Sequence, residues 1–180
     1  MSEAAETAAT PVVPRGFDRL EAAFAALGID PPVREHEAVF TVAESQDLRG
    51  QIDGLHTKNL FLKDKKGVLF LLTAPEDAAI DLKTLHTKLG AKGRVSFASA
   101  ERLAEHLGVL PGSVTPLALI NDAQRAVIGV LHPRVASAPL VNVHPLRNTA
   151  TVTMTGEELV RLLSAEHGAP RILELAEGEA

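Results

Sequence analysis

Apolar residues recur with helical spacing in several segments of the chain, and capping residues mark where these segments begin or end. In the first segment Phe17, Leu20, Phe24 and Leu27 form one apolar face, and Gly28 supplies the stop. N-cap residues or capping boxes begin three other segments: Thr41 with Glu44, Ser99, and Thr155 with Glu158. We therefore predict helices over 18–27, 81–89, 99–107 and 155–167, and a short helix from Thr41.

Other segments have the pattern of strands, and two of them form a hairpin. The runs 55–63 and 68–73 are joined by a turn that starts at Asp64 and ends at Gly67. The second run begins with five consecutive apolar residues, which predicts a strand buried on both faces. Further strands are predicted over 33–36, 95–97, 117–120, 126–130, 140–143 and 149–154.

Helices and strands alternate with no internal repeat or linker between residues 15 and 175. This order predicts one α/β domain with a mixed, curved sheet surrounded by helices. The preceding residues, 1–14, are rich in alanine and proline, and we expect them to be a mobile tail.

Composition narrows the chemistry. The chain of 180 residues contains no cysteine, which excludes disulfides, thiolate zinc sites and a cysteine nucleophile. It has no metal-ligand spacing and no nucleotide-binding or serine-hydrolase motif, so we expect neither a metal nor a cofactor. No run approaches the roughly 20 apolar residues of a membrane span. The acidic start is unlike a signal peptide, and we expect a soluble, cytoplasmic protein.

Charge is distributed unevenly along the chain. The net charge is −5, yet the span 58–94 holds eight basic and four acidic residues, so that span is +4 and the remainder is −9. The acidic total argues against binding duplex DNA. The basic span is either a solvated surface or a local face that holds the end of an RNA.

Lys58 stands out because it lies within a mostly apolar strand. Alternation places Lys58 on one face with Leu60, and Asn59 on the other face with Phe61. Burying an unpaired ammonium is costly, so Lys58 must pair, face a cavity, or reach water from the end of the strand.

Two further segments could contribute to a site. The loop 112–116 starts with glycine and ends with proline, and its backbone N–H groups could bind an anion or a carbonyl oxygen. The alternative is a simple connector. His144 ends a strand before Pro145, where it is either a proton-transferring group beside a cleft or an ordinary surface histidine.

Four short motifs follow one another in an order that covers about residues 17–175. They are Glu37-Ala38-Val39-Phe40-Thr41-Val42, Lys58-Asn59-Leu60-Phe61-Leu62-Lys63-Asp64, Gly112-Ser113-Val114-Thr115-Pro116 and Asn142-Val143-His144-Pro145. Together they resemble the family of aminoacyl-tRNA deacylases related to the editing domain of bacterial prolyl-tRNA synthetases. The resemblance implies a mixed, partly barrel-like sheet with flanking helices. The chain departs from the family pattern at His132, where an acidic residue is expected.

The resemblance also implies roles for particular residues. The family's essential lysine maps to Lys58, and we expect Lys58, Asn59 and His144 to form the catalytic group. Phe40 and the loop are expected to bind the substrate in a small pocket. The loop residues are Gly112, Ser113, Val114, Thr115 and Pro116.

The run from Lys58 to Leu62 is most similar to free-standing family members that hydrolyse alanyl-tRNA(Pro) in trans. The expected partner is therefore the 3′ end of a mischarged tRNA(Pro), and prolyl-tRNA synthetase is a second candidate partner. Two alternatives stay open. One is a deacylase for cysteine or serine esters. The other is a non-catalytic nucleic-acid-binding or regulatory protein, which would explain the basic span but not the loop and the His-Pro pair.

Overall fold

The computed structural model describes residues 13–38 and 50–175. These residues form an α/β domain around one mixed sheet of eight strands. The strands are β1 (Val33–Glu35), β2 (Leu55–Lys63), β3 (Leu69–Pro75), β4 (Ser96–Phe97), β5 (Val127–Leu131), β6 (Val141–Val143), β7 (Ala150–Met154) and β8 (Arg171–Ile172). The predicted fold class is confirmed.

The sheet has the order β1-β7-β6-β2-β3-β5-β8, and β4 pairs with β2 outside this path. The hairpin of β2 and β3 is antiparallel, with Lys63 opposite Leu69 and Asn59 opposite Thr73. Parallel pairs join β2 to β6, β3 to β5 and β5 to β8, whereas β7 is antiparallel to both of its neighbours. The long strand β2 therefore lies in the middle of the sheet.

Helices cover the sheet on both faces, and two of them begin directly after the predicted N-cap residues Ser99 and Thr155. They are α1 (Phe17–Leu27), α2 (Leu85–Leu89), α3 (Ala100–Leu107), α4 (Pro133–Ala136) and α5 (Gly156–Glu166). The predicted capping box is present at the start of α5, because the Thr155 side chain accepts from the Glu158 N–H and the Glu158 carboxylate accepts from the Thr155 N–H. In the described part of the chain, no helix is long and apolar enough to cross a membrane.

Two hydrophobic clusters lie on opposite faces of β2. Phe61 belongs to the larger cluster, which holds α1, α3 and α5 against the sheet. Leu62 belongs to the smaller one, together with α2 and Leu175 near the end of the described chain. The predicted alternation of β2 is thus present, since neighbouring residues enter different clusters.

The edges of β2 are not equally filled. β3 follows one edge from Thr57 to Lys63. On the other edge β6 pairs only at Leu55 and His56, and β4 pairs only at Leu62 and Lys63. Within the described residues, positions 58–60 therefore have no strand beside them on this edge, and the sheet opens there.

Several predicted boundaries need correction. Residues 117–120 are not a strand but part of a 3₁₀ helix, Pro116–Asn121, whose first turn is closed by the Thr115 hydroxyl accepting from the Leu117 N–H at 3.3 Å. A short, wholly buried apolar run has no periodicity that separates the two structures. The helix predicted over 81–89 is helical only from Leu85, and α4 and β8 were not predicted. The helix predicted from Thr41 lies outside the described residues.

Candidate active site

The open edge of β2 displays two polar residues in succession, Lys58 and Asn59. Because side chains alternate along a strand, these two project to opposite faces of the sheet. Asn59 is on the face of Phe61, and Lys58 is on the face of Leu60. Each of them contacts a different loop.

Asn59 connects β2 to the glycine-to-proline loop. Its side-chain Nδ2 donates to the Val114 carbonyl at 3.1 Å, and its Oδ1 accepts from the Thr73 hydroxyl at 2.7 Å. Thr73 is fully buried and stands directly opposite Asn59 in the hairpin. The amide is therefore oriented from both ends, with its oxygen towards β3 and its nitrogen towards the loop.

The loop itself is a compact turn followed by extended backbone. Pro111–Ser113 form a single 3₁₀ turn, in which the Ser113 N–H donates to the Leu110 carbonyl at 2.9 Å. Gly112 is exposed at the tip, whereas Thr115 and Pro116 are buried. Among hydrogen bonds within the described residues, the N–H groups of Gly112 and Val114 donate none. Such paired N–H groups suit an anionic or carbonyl oxygen.

Lys58 is held on the other face. Its ammonium donates to the carbonyl of Ala78, in the segment that follows β3. We expected this ammonium beside the loop 112–116; among the described contacts, the residue of β2 that bonds to the loop is Asn59 instead. An ammonium has three donors, and among the described residues the Ala78 carbonyl accepts one of them.

His144 lies just beyond the end of β6, on the side of the sheet where β2 is open. The parallel register places Asn142 of β6 beside His56, and the Thr57 hydroxyl donates to the Asn142 carbonyl at 2.9 Å. The pairing ends at this point, and β6 ends at Val143, one residue before His144. Among the described contacts Asn59 bonds to the loop, whereas His144 meets the Ala150 carbonyl and the ring of His36.

The protonation state of His144 follows from its surroundings. Burial lowers its pKa, the hydrogen bond to the Ala150 carbonyl opposes that shift, and the charge of nearby His36 adds to the lowering. The contact from Nδ1 to that carbonyl oxygen is 2.9 Å, and a carbonyl can only accept, so Nδ1 carries the proton. At neutral pH Nε2 therefore keeps a lone pair that can accept from water or a hydroxyl.

Three polar residues near the opening were not predicted to contribute. Thr73 orients Asn59, as described above. His36 accepts or donates at 2.8 Å to the Thr151 hydroxyl, and its ring lies 6.2 Å from that of His144. His132 begins α4, with its Nδ1 accepting from the Arg134 N–H at 3.1 Å. An imidazole thus fills the N-cap role that an acidic side chain would also serve. The sequence marked His132 only as a departure from the family pattern, and it carried no signal for Thr73 or His36.

A separate cleft of about 580 Å³ lies between α1 and the pair β1–β7. Phe17, Phe24 and Val152 contribute apolar walls, whereas Glu21 and Asp30 contribute acidic groups. These carboxylates do not suit a polyanion, and we assign the cleft no role in binding RNA.

Phe40, the remaining predicted substrate-binding residue, lies outside the described residues. Within 13–38 and 50–175, no group of three or more histidine and acidic side chains is arranged to hold a metal ion.

Comparison with known proteins identifies the family and the fold of the chain. A model of the aminoacyl-tRNA editing domain matches residues 36–162. Prolyl-tRNA synthetase associated domain-containing protein 1 of Danio rerio is 38% identical over 175 residues, which cover 96% of this chain and 94% of that protein. Prolyl-tRNA editing protein ProX of Acetoanaerobium sticklandii is 35% identical over 150 residues, covering 83% of this chain and 91% of that protein.

Among solved structures, one described as "a putative trans-editing enzyme for prolyl tRNA synthetase" superposes with a TM-score of 0.66. It shares 21% identity and covers 91% of this chain and 99% of its own, a likeness that establishes the fold. With the family match and the two relatives, it shows that the chain belongs to the aminoacyl-tRNA editing domain family. The protein is an aminoacyl-tRNA deacylase, a hydrolase acting on mischarged tRNA.

Proposed function

We propose that this deacylase removes alanine from mischarged tRNA(Pro), acting in trans at the opening beside β2. The hydrogen bond from Asn59 to Val114 carries the proposal, because it fixes the glycine-to-proline loop beside the open edge of β2, the strand that also carries Lys58. The run from Lys58 to Leu62, which resembles alanine-specific members, and the name of the Acetoanaerobium sticklandii relative support the choice of tRNA.

Lys58 would hold the anionic part of the substrate. Charge-assisted hydrogen bonds from an ammonium to a phosphate are stronger than those to a neutral carbonyl. The terminal phosphate of the tRNA would therefore bind the donors of Lys58 that the Ala78 carbonyl leaves available. This contact places the aminoacyl ester at the open edge of the strand.

The loop would stabilise the reacting ester. Hydrolysis adds water across the bond between the acyl carbon and the ribose oxygen, so hydroxide oxygen joins the carbon and a proton goes to the ribose. Negative charge develops on the carbonyl oxygen as water adds. The N–H groups of Gly112 and Val114 would donate to that oxygen, with Asn59 fixing the position of the Val114 backbone.

His144 would orient the attacking water through the Nε2 lone pair that its contact with Ala150 leaves available. No covalent nucleophile is required, because an aminoacyl ester is already activated. A neighbouring ribose hydroxyl would share in activating the water. The side-chain pocket, which includes Phe40, would admit alanine and exclude the larger ring of proline. Exclusion by size is effective where binding separates one methylene by only about 1–3 kcal/mol.

The alternative within the same class is a deacylase for cysteine or serine esters on the same tRNA. Prolyl-tRNA synthetase would be the partner that generates the substrate, and we expect both proteins in the cytoplasm. Alanine and serine differ by a hydroxyl that a small apolar pocket discriminates poorly, so partial activity on the serine ester is compatible with the proposal.

The test is a panel of tRNA(Pro) charged with alanine, cysteine, serine or proline, incubated with the protein and assayed for remaining ester. We expect alanine to be lost fastest and proline to be spared. Lys58→Ala should abolish hydrolysis without unfolding the protein, while Lys83→Ala, which removes an exposed lysine elsewhere, should retain it. If the cysteine ester were lost faster than the alanine ester, the enzyme would be a deacylase for cysteinyl-tRNA(Pro) and not for alanyl-tRNA(Pro). Undiminished turnover by Lys58→Ala would remove Lys58 from the site.

A further inference from the structure

Five exposed cations lie together at the end of the hairpin opposite the candidate active site. They are Lys63, Lys65, Lys66, Lys92 and Arg94, and we call this surface the hairpin patch. We propose that the hairpin patch binds the phosphate backbone of the tRNA acceptor helix while the 3′ end reaches the opening beside β2. This inference rests on the proposed function, because it concerns the same substrate.

A single buried carboxylate, that of Asp64, holds together the two backbone segments that carry the hairpin patch. Asp64 accepts from the backbone N–H groups of Lys66 at 2.8 Å, Val68 at 3.0 Å and Lys92 at 3.0 Å. It thereby ties the hairpin turn to the loop after α2, and the Lys65 N–H donates to the Lys92 carbonyl at 3.2 Å across the same junction. The only acidic side chain within the turn is thus engaged by backbone groups, and the lysines around it face solvent.

The surroundings make the hairpin patch electrostatically distinct. The chain has a net charge of −5, so the protein as a whole repels a polyanion. A local group of five cations offers the region where phosphates bind favourably, and the acidic remainder disfavours other orientations. Charge of this kind orients a nucleic acid on a protein without reading its sequence.

The distance from the hairpin patch to the opening suits a tRNA end. Lys58 and Lys63 are five residues apart on one strand, which corresponds to about 17 Å. The single-stranded 3′ end of a tRNA separates the ester from the first base pair, so the two contacts would engage different parts of one substrate. The double-stranded stem would lie on the cations and the ester would lie at the opening beside β2.

An exposed aromatic residue lies between the two contacts. Phe97 of β4 stands opposite Leu62 of β2, so it shares the face of the strand that carries Lys58. Its side chain is 58% exposed, and no other described residue covers it. Bases of a single strand stack on such rings without regard to sequence. Phe97 therefore lies on the path that the 3′ end would follow.

The test compares two substrates for one pair of variants. Lys65→Ala/Lys66→Ala removes two cations of the hairpin patch, and Lys83→Ala/Arg125→Ala removes two exposed cations outside the patch as a matched control. The substrates are the full mischarged tRNA and an aminoacylated CCA trinucleotide that lacks the stem. Both carry the amino acid that the wild-type protein removes fastest.

We expect the patch variant to lose about tenfold in kcat/KM on the full tRNA and to keep wild-type activity on the trinucleotide. Its binding to uncharged tRNA(Pro) should be measured between about 50 and 200 mM salt. The slope of the logarithm of the binding constant against the logarithm of the salt concentration should be shallower by about two, one for each lysine removed. The control variant should match the wild type in each measurement. Phe97→Ala should weaken the binding of both substrates, since both contain the single-stranded 3′ end.

Two results would overturn the inference. Equal losses on tRNA and trinucleotide would mean that the lysines act on the reaction itself. Unchanged tRNA binding would leave the hairpin patch to a different ligand, such as an acidic protein surface. The binding measurement uses uncharged tRNA, so it distinguishes failure of this inference from failure of the proposed alanine specificity.

Discussion

The two ends of β2 are built from one continuous strand, yet they differ in almost every physical respect. At the end beside the hairpin turn, Phe61 and Leu62 are buried at 5% and 0% exposure, and Leu62 has a strand on each edge. At the other end, beside the candidate site, Lys58 and Asn59 are partly exposed. Within the described residues they have a strand on one edge only. The fold thus uses one end to anchor the sheet and leaves the other available for chemistry.

The polar end is stable because each polar group has a partner. Asn59 is bonded to Thr73 and Val114, and Lys58 to the Ala78 carbonyl. An unpaired buried amide would cost about 1–3 kcal/mol, so these contacts are needed for folding as well as for orientation. The difference between the two ends therefore predicts separable effects on stability and on activity.

The largest effect should come from the apolar end. Leu62→Ala removes a fully buried side chain that packs with Phe70 and Leu89, and we expect a loss of about 2–5 kcal/mol in the free energy of unfolding. Urea titration measures this loss. The fraction that stays folded should deacylate its substrate at the wild-type rate, because Leu62 is not one of the proposed reacting groups.

Thr87→Ala is a suitable control, since Thr87 is an exposed residue of α2. It should change the free energy of unfolding by well under about 1 kcal/mol. If Leu62→Ala instead left stability intact and reduced turnover, the division of β2 into an anchoring end and a chemical end would be wrong.

The next effect concerns Asn59 itself. Asn59→Ala removes both of its hydrogen bonds, and we expect deacylation to fall by about 10²-fold, the size found when one oriented donor is lost from a site. Asn59→Asp keeps the acceptor for Thr73 but sets a carboxylate against the Val114 carbonyl, so it should be no better. Single-turnover hydrolysis measures both.

Asn148→Ala provides the control, because Asn148 is a partly exposed asparagine after β6 that we place outside the reacting groups. Wild-type rates in Asn59→Ala would show that the loop keeps its catalytic position without the hydrogen bond from β2.

The apolar pattern and the caps predicted most of the fold, and the reasons for the misses are specific. A four-residue turn over 64–67 would pair Lys63 with Val68 and so put Thr73 opposite Lys58. In the structure Lys63 pairs with Leu69, since Asp64 binds the N–H groups of Lys66 and Val68 and widens the loop by one residue. This shift puts Thr73 beside Asn59, a relation that depends on side-chain hydrogen bonds rather than on hydrophobic pattern.

The candidate site was predicted less completely than the fold. Lys58, Asn59 and the loop were identified because they lie in short motifs, but which of them meets the loop depends on the face of β2 that each side chain occupies. His36 and His144 are distant in sequence and come within 6.2 Å only through the pairing of β1, β7 and β6. Long-range contacts of this kind leave no local signal in a single sequence.

A smaller effect should follow from Thr73→Val. This change removes the hydroxyl that donates to Asn59 at 2.7 Å, while the side chain keeps its volume in a fully buried position. We expect turnover to fall by about tenfold and stability to fall by about 1 kcal/mol, because the Asn59 amide loses one of its two fixed contacts. Thr73→Ser retains the hydroxyl and should restore most of the activity. Equal rates in the valine and serine variants would mean that Thr73 supports only the sheet.

The smallest effect is the pH dependence that His144 contributes. Since burial holds its pKa below the usual 6.5, the neutral form should persist at mildly acidic pH. If its Nε2 accepts from water, kcat/KM should stay level from about pH 8 to 6.5 and fall only below that. Folding has the same sign: the stability associated with neutral His144 is fully present above the unfolded pKa and is lost as pH falls through the folded one. His144→Gln cannot titrate, so its kcat/KM should lack the acidic decline. An unchanged decline in that variant would assign the titration to another group, of which His36, 6.2 Å away, is the first to test.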